Sequence, residues 1–285
     1  MTRAARAAIA VGCALCLAGC AATVRVRVLA PGEDCARDFG SSTAAAKIET
    51  YLAASSALVL EAGELGVDLD EACGRGLAIA REGAAATSDD EASPCDALAT
   101  WVATEREALP LGPSLGVHAD AVCDASEGDF AECVSRCELR YRPEDVRIVR
   151  DEEGLLTAPN VSPRCRASCG TTSAIETSCS PRLRVEPGEV TDTERSRAQR
   201  LTRALEQAAV AIDLGERARR LSLAAERLVT IAPVLPEAAA TVSIRAVACV
   251  QAASEPVRTA AARLESAHDR TGALRRRMRP DVQLR

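Results

Sequence analysis

Residues 201–231 have the sequence LTRALEQAAVAIDLGERARRLSLAAERLVTI, and this stretch decides the fold class of the 285-residue chain. Its apolar residues recur in alternating steps of three and four, which places them on one face of a helix. That face is formed by Leu201, Leu205, Ala208 and Ile212 and, after a phase shift at Gly215, by Leu221, Ala224, Leu228 and Ile231. The spacing predicts a helix that is capped by Thr191 or Thr193 and ends at Ile231.

A second long helix is predicted downstream. Pro233 and Pro236 make a turn, and from about Glu237 to Arg277 the apolar positions again follow helical spacing. Two helices of this length joined by a short loop pack as an antiparallel pair, so residues 191–285 are predicted to form a long helical hairpin. The apolar positions of the second helix are Ile244, Val247, Val257, Ala261 and Leu264.

Residues 35–110 form a predicted N-terminal helical region. Together with the C-terminal hairpin, its helices could complete one bundle around the segment between them. The expected helices run from Ser42 to Leu65, from Asp68 or Asp70 to Gly83, and from Asp89 or Asp90, through Trp101, to just before Pro110.

The composition supports the same fold class. Hydrophobic residues make up 47% of the chain but aromatic residues only 2%, so the core must be built from Ala, Leu, Val and Ile, which pack most readily between helices. We therefore predict a mainly α protein, a long-helix bundle with a disulfide-stapled insert and at most a minor β-sheet. The net charge of −6 argues against a nucleic-acid binder.

The first nineteen residues are organised like an export signal. Arg3 and Arg6 precede a short apolar run, Ala7–Leu17, which is shorter than the roughly 20 residues that a membrane-spanning helix needs. The run leads into LAGC, residues 17–20, which resembles the lipobox of bacterial lipoprotein signal peptides. The resemblance implies that residues 1–19 are removed as a signal peptide and that Cys20 becomes the lipidated first residue.

The same resemblance implies a location. In that family an Asp after the lipidated cysteine commonly retains the protein in the inner membrane, whereas Ala21 follows Cys20 in this chain. We therefore expect an outer-membrane lipid anchor, with the protein on the periplasmic face rather than the cell surface. Residues 20–34 would carry the anchor and a linker, in which Val24–Val28 alternates like a short strand.

The chain has thirteen cysteines, of which Cys13 and Cys16 lie in the signal peptide and Cys20 is the lipidation site. An even number of ten remains, which indicates disulfide bonds in an exported protein. Cys73 and Cys95 flank a loop of small and polar residues and are expected to bridge two consecutive helices. The ten are Cys35, Cys73, Cys95, Cys123, Cys133, Cys137, Cys165, Cys169, Cys179 and Cys249.

Two matched C-x3-C pairs narrow the connectivity. On helices, the pairs Cys133/Cys137 and Cys165/Cys169 would each place both sulfurs on one face, one turn apart. Two such helices running antiparallel are joined most simply by Cys133–Cys169 and Cys137–Cys165, a geometry that resembles the twin C-x3-C hairpins of several small disulfide proteins. The alternative is a zinc site of four thiolates, which needs reduced thiols.

These pairs lie in residues 111–190, a predicted cysteine-rich insert with short elements and many prolines. Because it lacks large apolar side chains, we expect disulfides to replace a core. Pro181–Glu186 and Val146–Val149 are strand candidates that could pair with Val24–Val28 in a small sheet; the alternative is that all three are extended linkers.

No convincing catalytic constellation emerges from the sequence. Gly112–Gly116 fits the G-x-S-x-G pattern, but a nucleophile elbow needs a strand before the Ser, and Pro113 and a helix end precede it here. His268, the candidate base, lies in a charged helix tail. The acidic clusters Ser88–Glu91 and Arg150–Glu153 are expected to be solvated loops. We predict a protein that is not an enzyme and has no metal site or cofactor.

The sequence leaves two functional hypotheses. The first is a scaffold or adaptor that binds the membrane through its lipid and a protein partner through its helical faces. The second is a periplasmic protein that binds an apolar or envelope ligand between its helices. The chain also faintly resembles uncharacterised cysteine-rich helical envelope lipoproteins, which implies a location and no activity. The arginine-rich C-terminus, Arg270–Arg285, is either a solvated helix end or a contact for headgroups or an acidic partner.

Overall fold

The structure is a computed structural model that describes residues 35, 38–82, 93–109, 120–182 and 192–278. It is mainly α, as predicted. The helices are α1 Thr43–Ala80, α2 Pro94–Ala108, α3 Glu127–Cys137, α4 Pro163–Glu176, α5 Asp192–Ile231, α6 Leu235–Ala240, α7 Ile244–Arg270 and α8 Gly272–Met278. The strands are β1 Asp120–Asp124, β2 Val149–Arg150, β3 Leu156–Thr157 and β4 Ser178–Arg182.

Three long helices, α1, α5 and α7, form the bundle. Helices α1 and α7 run parallel, because the Cys35–Cys249 disulfide joins the chain near their starts while Asp70 pairs with Arg270 farther along both. Helix α5 runs antiparallel to them and, with 40 residues, is about 60 Å long. The long C-terminal helices α5 and α7 form the predicted hairpin, and they pack with the N-terminal helix α1 in one bundle, as predicted.

The seam between the three helices is filled by aliphatic side chains. The fully buried residues come from all three helices, and alanines between them let the backbones approach. Gly215 of α5 packs tightly against the end of α7, since a Cβ atom there would overlap the side chain of Thr271, the C-cap residue of α7. The buried leucines and valine include Leu58, Leu65, Leu205, Leu221, Leu228, Val257 and Leu264.

The predicted break between Leu65 and Asp68 is wrong, because α1 is one continuous helix of 38 residues. Asp68 and Asp70 lie on the exposed side of the helix, and Asp70 pairs with Arg270 instead of capping a new helix. The buried side continues past them without a break. Helix α1 begins at its N-cap Ser42, as predicted.

Two other helix boundaries differ from the prediction. Helix α2 begins after the N-cap Ser93, whose hydroxyl accepts from the Asp96 amide at 3.2 Å, and not at Asp89 or Asp90. The single helix expected over Glu237–Arg277 is three helices, α6, α7 and α8. Ser243 caps α7 and thereby separates it from α6.

The insert holds a second, smaller core, which corrects the expectation that it has no large apolar side chains. Phe130, Val134, Leu156 and Val161 cluster around the helices α3 and α4. Helix α4 also packs on α1 and α5, and its Ala167 belongs to the bundle core. The insert is therefore partly integrated into the bundle.

The strands form two separate two-stranded antiparallel sheets within the described residues. β1 pairs with β4, with Asp120 opposite Arg182, and β2 pairs with β3. The strand candidates Pro181–Glu186 and Val146–Val149 share residues 181–182 with β4 and Val149 with β2, which belong to different sheets, and residues 183–186 lie outside the described residues. The third candidate, Val24–Val28, lies outside the described residues.

Candidate interaction surface

Disulfides fix the position of the insert and attach Cys35, the first described residue, to the bundle. The predicted pairs Cys133–Cys169 and Cys137–Cys165 are confirmed and join α3 to α4, and Cys73–Cys95 is confirmed and joins α1 to α2. A fourth bridge, Cys35–Cys249, could not be assigned from the sequence. In the β1–β4 ladder Cys123 stands opposite Cys179, and Cys20 lies outside the described residues.

The Cys35–Cys249 bridge places the start of the described chain at one end of the bundle. Arg245, in the first turn of α7, strengthens this link: its guanidinium lies 4.7 Å from the centre of the Phe39 ring and donates to the Asp38 carbonyl oxygen at 3.3 Å. We call this end, where α1 and α7 begin, the Cys35 end. The opposite end holds α2 and α8.

A groove of about 500 Å³ runs between α1 and α7 on the outside of the bundle. We call it the α1–α7 groove. Val67 of α1, 66% exposed, lines it, and Leu60, 61% exposed, lies seven residues earlier on the same side of α1. Small residues keep it open, and its lining is Ala62, Gly63, Gly66, Val67, Asp70, Thr259, Ala262, Arg263, Ser266 and Arg270.

The charges in the α1–α7 groove are unevenly matched. At one end Arg270 and Asp70 form an ion pair at 2.5 Å between the two helices. Arg263 is exposed on the α7 wall and has no carboxylate partner within the part of the chain that the structure describes. The groove was not predicted, although Leu60 and Val67 lie out of phase with the apolar face of α1 and flank Gly63 in the sequence, which was a signal for it.

On the other side of α1, a group of charges locks α1 to α5. The Arg217 guanidinium lies 2.5 Å from the Glu61 carboxylate and donates to the Ile175 carbonyl oxygen at 3.1 Å. Burial raises the pKa of the Glu61 carboxyl, and Arg217 opposes that effect. Burial also raises the pKa of Asp213 to about 6, against the opposing charge of Arg217. The Glu61–Arg217 ion pair therefore joins α1 to α5, and neither residue lines the α1–α7 groove.

The acidic cluster Arg150–Glu153 is the exposed turn that the sequence suggested, except that Asp151 is half-buried. Arg227 of α5 contacts the Asp151 carboxylate at 2.5 Å and the Glu153 carboxylate at 3.5 Å. The cluster therefore ties the β2–β3 turn of the insert to the bundle. The other cluster, Ser88–Glu91, lies outside the described residues.

His268 makes structural contacts between helices. Its Nδ1 lies 3.0 Å from the Gly215 carbonyl oxygen of α5, and its Nε2 lies 2.9 Å from a guanidinium nitrogen of Arg275. Gly112–Gly116, which contains the candidate nucleophile, lies outside the described residues. Within the described residues, no group of three or more His, Cys, Asp or Glu side chains could hold a metal ion.

The basic C-terminus is described as far as Met278. Arg275 lies 3.8 Å from the Glu216 carboxylate, and Arg106 of α2 donates to the Arg277 carbonyl oxygen, so α8 is attached to the bundle. The side chains of Arg276 and Arg277 are exposed beside a second open groove of about 370 Å³, which Asp96 also lines. This mixture of charges does not favour either of the two interpretations of the C-terminus.

Comparisons with known proteins gave no match to a family model, a curated protein or a solved structure. Within the described ranges, no helix is both long and apolar enough to cross a membrane. The features that bear on function are therefore the α1–α7 groove and the two ends of the bundle.

Proposed function

We propose that this chain is a non-enzymatic envelope lipoprotein that serves as a scaffold or adaptor and binds a helix of a protein partner in the α1–α7 groove. The observation that carries the proposal is an open groove lined by the exposed side chain of Val67, with exposed Leu60 seven residues earlier on the same side of α1. Exposed apolar side chains arranged along a groove are typical of surfaces that take an amphipathic helix.

The chemistry of the groove specifies the partner segment. Small residues such as Gly63 and Gly66 on α1 and Ala262 on α7 allow a close approach, so the partner helix should carry aliphatic residues one turn apart. Arg263 lacks a carboxylate partner among the described residues, and an acidic side chain on the partner would supply one. The occupant is therefore an amphipathic helix with an acidic residue beside its apolar face.

The alternative is a carrier that holds an apolar ligand between its helices. In the described part of the bundle, the seam is occupied by side chains such as Leu58, Leu221 and Leu264, all fully buried. Both grooves discussed above are open to solvent on the outside of the bundle. These observations favour the scaffold, and lipid that stays bound in native mass spectrometry would favour the carrier.

The membrane attachment is a separate part of the proposal and is supported by the lipobox at residues 17–20. Cys20→Ala should remove the acyl chains and release the protein from membranes, because two or three acyl chains provide the stable anchor. Membrane fractionation after a high-salt wash tests this. Retention of the variant in the membrane fraction would contradict the lipobox interpretation.

The groove is tested by photo-crosslinking in intact envelopes. A photoreactive residue in place of Val67 should give one defined protein adduct, and Arg263→Glu in the same chain should abolish it by repelling the acidic partner. The matched control carries the photoreactive residue in place of Glu226, which is exposed on α5 away from the groove. An adduct that survives Arg263→Glu, or that also forms from position 226, would contradict the proposal.

A further inference from the structure

The Cys35 end of the bundle exposes apolar side chains. Five large hydrophobic side chains are strongly exposed in the described part of the chain, and two of them are Val67, which lines the α1–α7 groove, and Leu60, seven residues before it on α1. The other three are Ile244, 90% exposed, Leu139, 55% exposed, and Val234, 49% exposed. Single exposed aliphatic side chains are ordinary on a protein surface, so the informative point is whether these three share one end of the molecule.

Two of the three lie in the connection that closes the bundle at this end. Val234 follows the end of α5, and Ile244 is the first residue of α7, directly after its N-cap Ser243. Arg164, at the start of α4, donates to the Val234 carbonyl oxygen at 3.4 Å. The insert is thereby held at the same end of the bundle.

An ion pair between Glu138 and Lys47 places the neighbouring residue Leu139 at this end. The preceding residue, Glu138, is 3% exposed, and its carboxylate lies 3.1 Å from the Lys47 ammonium. Lys47 is four residues into α1 from Thr43, about 6 Å along the helix axis. Leu139 therefore lies close to the start of α1, on the Cys35 end.

Arginines and aromatic rings surround these apolar side chains. Arg140, 66% exposed, lies 4.9 Å from the centre of the Tyr141 ring, and Arg245 lies over Phe39. Acidic residues are also present, with Asp38 and Glu237 exposed at the same end. Exposed aliphatic residues next to arginine and tyrosine are typical of a surface at the boundary of headgroups and acyl chains.

We propose that the Cys35 end is a second lipid contact, at which Ile244, Val234 and Leu139 enter the outer acyl region of the membrane and the long bundle stands end-on. The inference rests on the lipid anchor proposed above. Only fourteen residues separate the lipid-bearing Cys20 from Cys35, so the tether brings this end, and not the α2–α8 end, to the bilayer. The α1–α7 groove then faces the periplasm along the side of the bundle.

Hydroxyl-radical footprinting tests the orientation, because it measures the exposure of individual aliphatic side chains. The full lipidated chain in phosphatidylethanolamine–phosphatidylglycerol vesicles is compared with the unlipidated Cys20→Ala chain in solution. The oxidation rates of Ile244 and Leu139 should fall several-fold in vesicles, whereas Leu60 and Val67 should keep their rates and serve as internal controls. Equal rates at all four positions, or protection of all four by a bundle that lies flat, would overturn the proposal.

A variant pair adds a second readout. In the lipidated chain, Ile244→Ser should reduce the protection of Leu139 in the same vesicles several-fold, since this end of the bundle loses its most exposed apolar contact with the membrane. Leu60→Ser should leave the protection of Leu139 unchanged. Lipidation is verified first by intact mass and flotation of the wild-type chain. If the wild-type chain is not lipidated, both the proposed anchor and this inference are wrong. If it is lipidated but Ile244 is not protected, only this inference is wrong.

Discussion

The bundle and the cysteine-rich insert obtain their stability in different ways. In the bundle, α1, α5 and α7 bury a continuous aliphatic seam. The insert has a small core around Phe130 and relies on two disulfides that join α3 to α4. A short segment cannot bury enough apolar surface to offset its conformational entropy, so covalent links take the place of a large core.

The division between the two regions passes through α4. One side of this helix carries Cys165 and Cys169, whereas Ala167 and Ala174 pack in the bundle core. The Thr171 hydroxyl also donates to the Ala224 carbonyl oxygen of α5 at 3.3 Å. The comparison therefore predicts a gradient of stability within the insert, with α4 more stable than α3.

The largest expected effect comes from removing both disulfides of the insert. Replacing Cys133, Cys137, Cys165 and Cys169 with Ala should destabilise the insert by about 2–5 kcal/mol per bridge, which exceeds what its small core can supply. Limited proteolysis should then cut within residues 127–162, while far-UV circular dichroism retains most of the helical signal.

The matched control for this variant lies in the bundle. Cys73→Ala with Cys95→Ala removes the α1–α2 bridge, whose loop is of similar length at a sequence separation of 22. Because α2 also packs on α8 and α5, this control should leave the insert resistant to protease. Cleavage of the insert in the control would show that the two regions are not independent. Resistance of the quadruple variant would show that the insert does not depend on its disulfides.

The next largest effect is a cavity in the bundle. Leu221 is fully buried in the seam, so Leu221→Ala should lower the free energy of unfolding of the whole bundle by about 2–5 kcal/mol. Leu156→Ala makes the same change in the core of the insert, where the side chain is 2% exposed. Chemical denaturation should show a bundle transition that moves only for Leu221→Ala, and a shift of equal size for both variants would contradict the division.

A smaller, pH-dependent effect is expected at Asp213. Its pKa of about 6 in the folded state lies above the usual 3.8, mainly because burial disfavours the charged carboxylate. The folded state therefore holds the proton more tightly, and ionisation above pH 6 destabilises it; this penalty disappears as the pH falls through 6 towards 4. Asp213→Asn should then stabilise the protein by about 1 kcal/mol at pH 7.5, after allowance for solvent screening, and by little at pH 4.5.

Thermal unfolding at the two pH values measures this difference. Glu226→Gln, an exposed substitution on the same helix, removes one negative charge without relieving burial and is the control. A stabilisation by Asp213→Asn that is equal at both pH values would mean that burial of the charge is not its cause.

The sequence predicts well those features that depend on local spacing. The long helix ending at Ile231 follows from its apolar face, and the bridges of the insert follow from two matched C-x3-C pairs. The continuity of α1 through Asp68 and Asp70 was missed because both acids fit a helix cap, although Leu65, Leu69 and Ala72 carry the apolar face past them at helical spacing. Cys35–Cys249 could not be predicted, because its partners are 214 residues apart and no local pattern links them.

The candidate site was less accessible to sequence analysis. Leu60 and Val67 lie out of phase with the buried series Leu58, Leu65 and Leu69 and could be placed outside the core from spacing alone, but only the packing of α7 shows that a groove lies beside Val67. Arg263 looks like any other charge on a helix until Asp70 is seen to be taken by Arg270. Both features depend on which faces of two distant helices meet, and periodicity alone does not determine that.

Hydrogen exchange of the native chain with and without reductant tests the central comparison most directly. Reduction should remove protection first from α3 and residues 138–162, less from α4, and least from the middle of α1, α5 and α7, where the seam is continuous. A uniform loss of protection along the chain would mean that the disulfides hold the bundle as well. That result would contradict the division into a seam-stabilised bundle and a disulfide-stabilised insert.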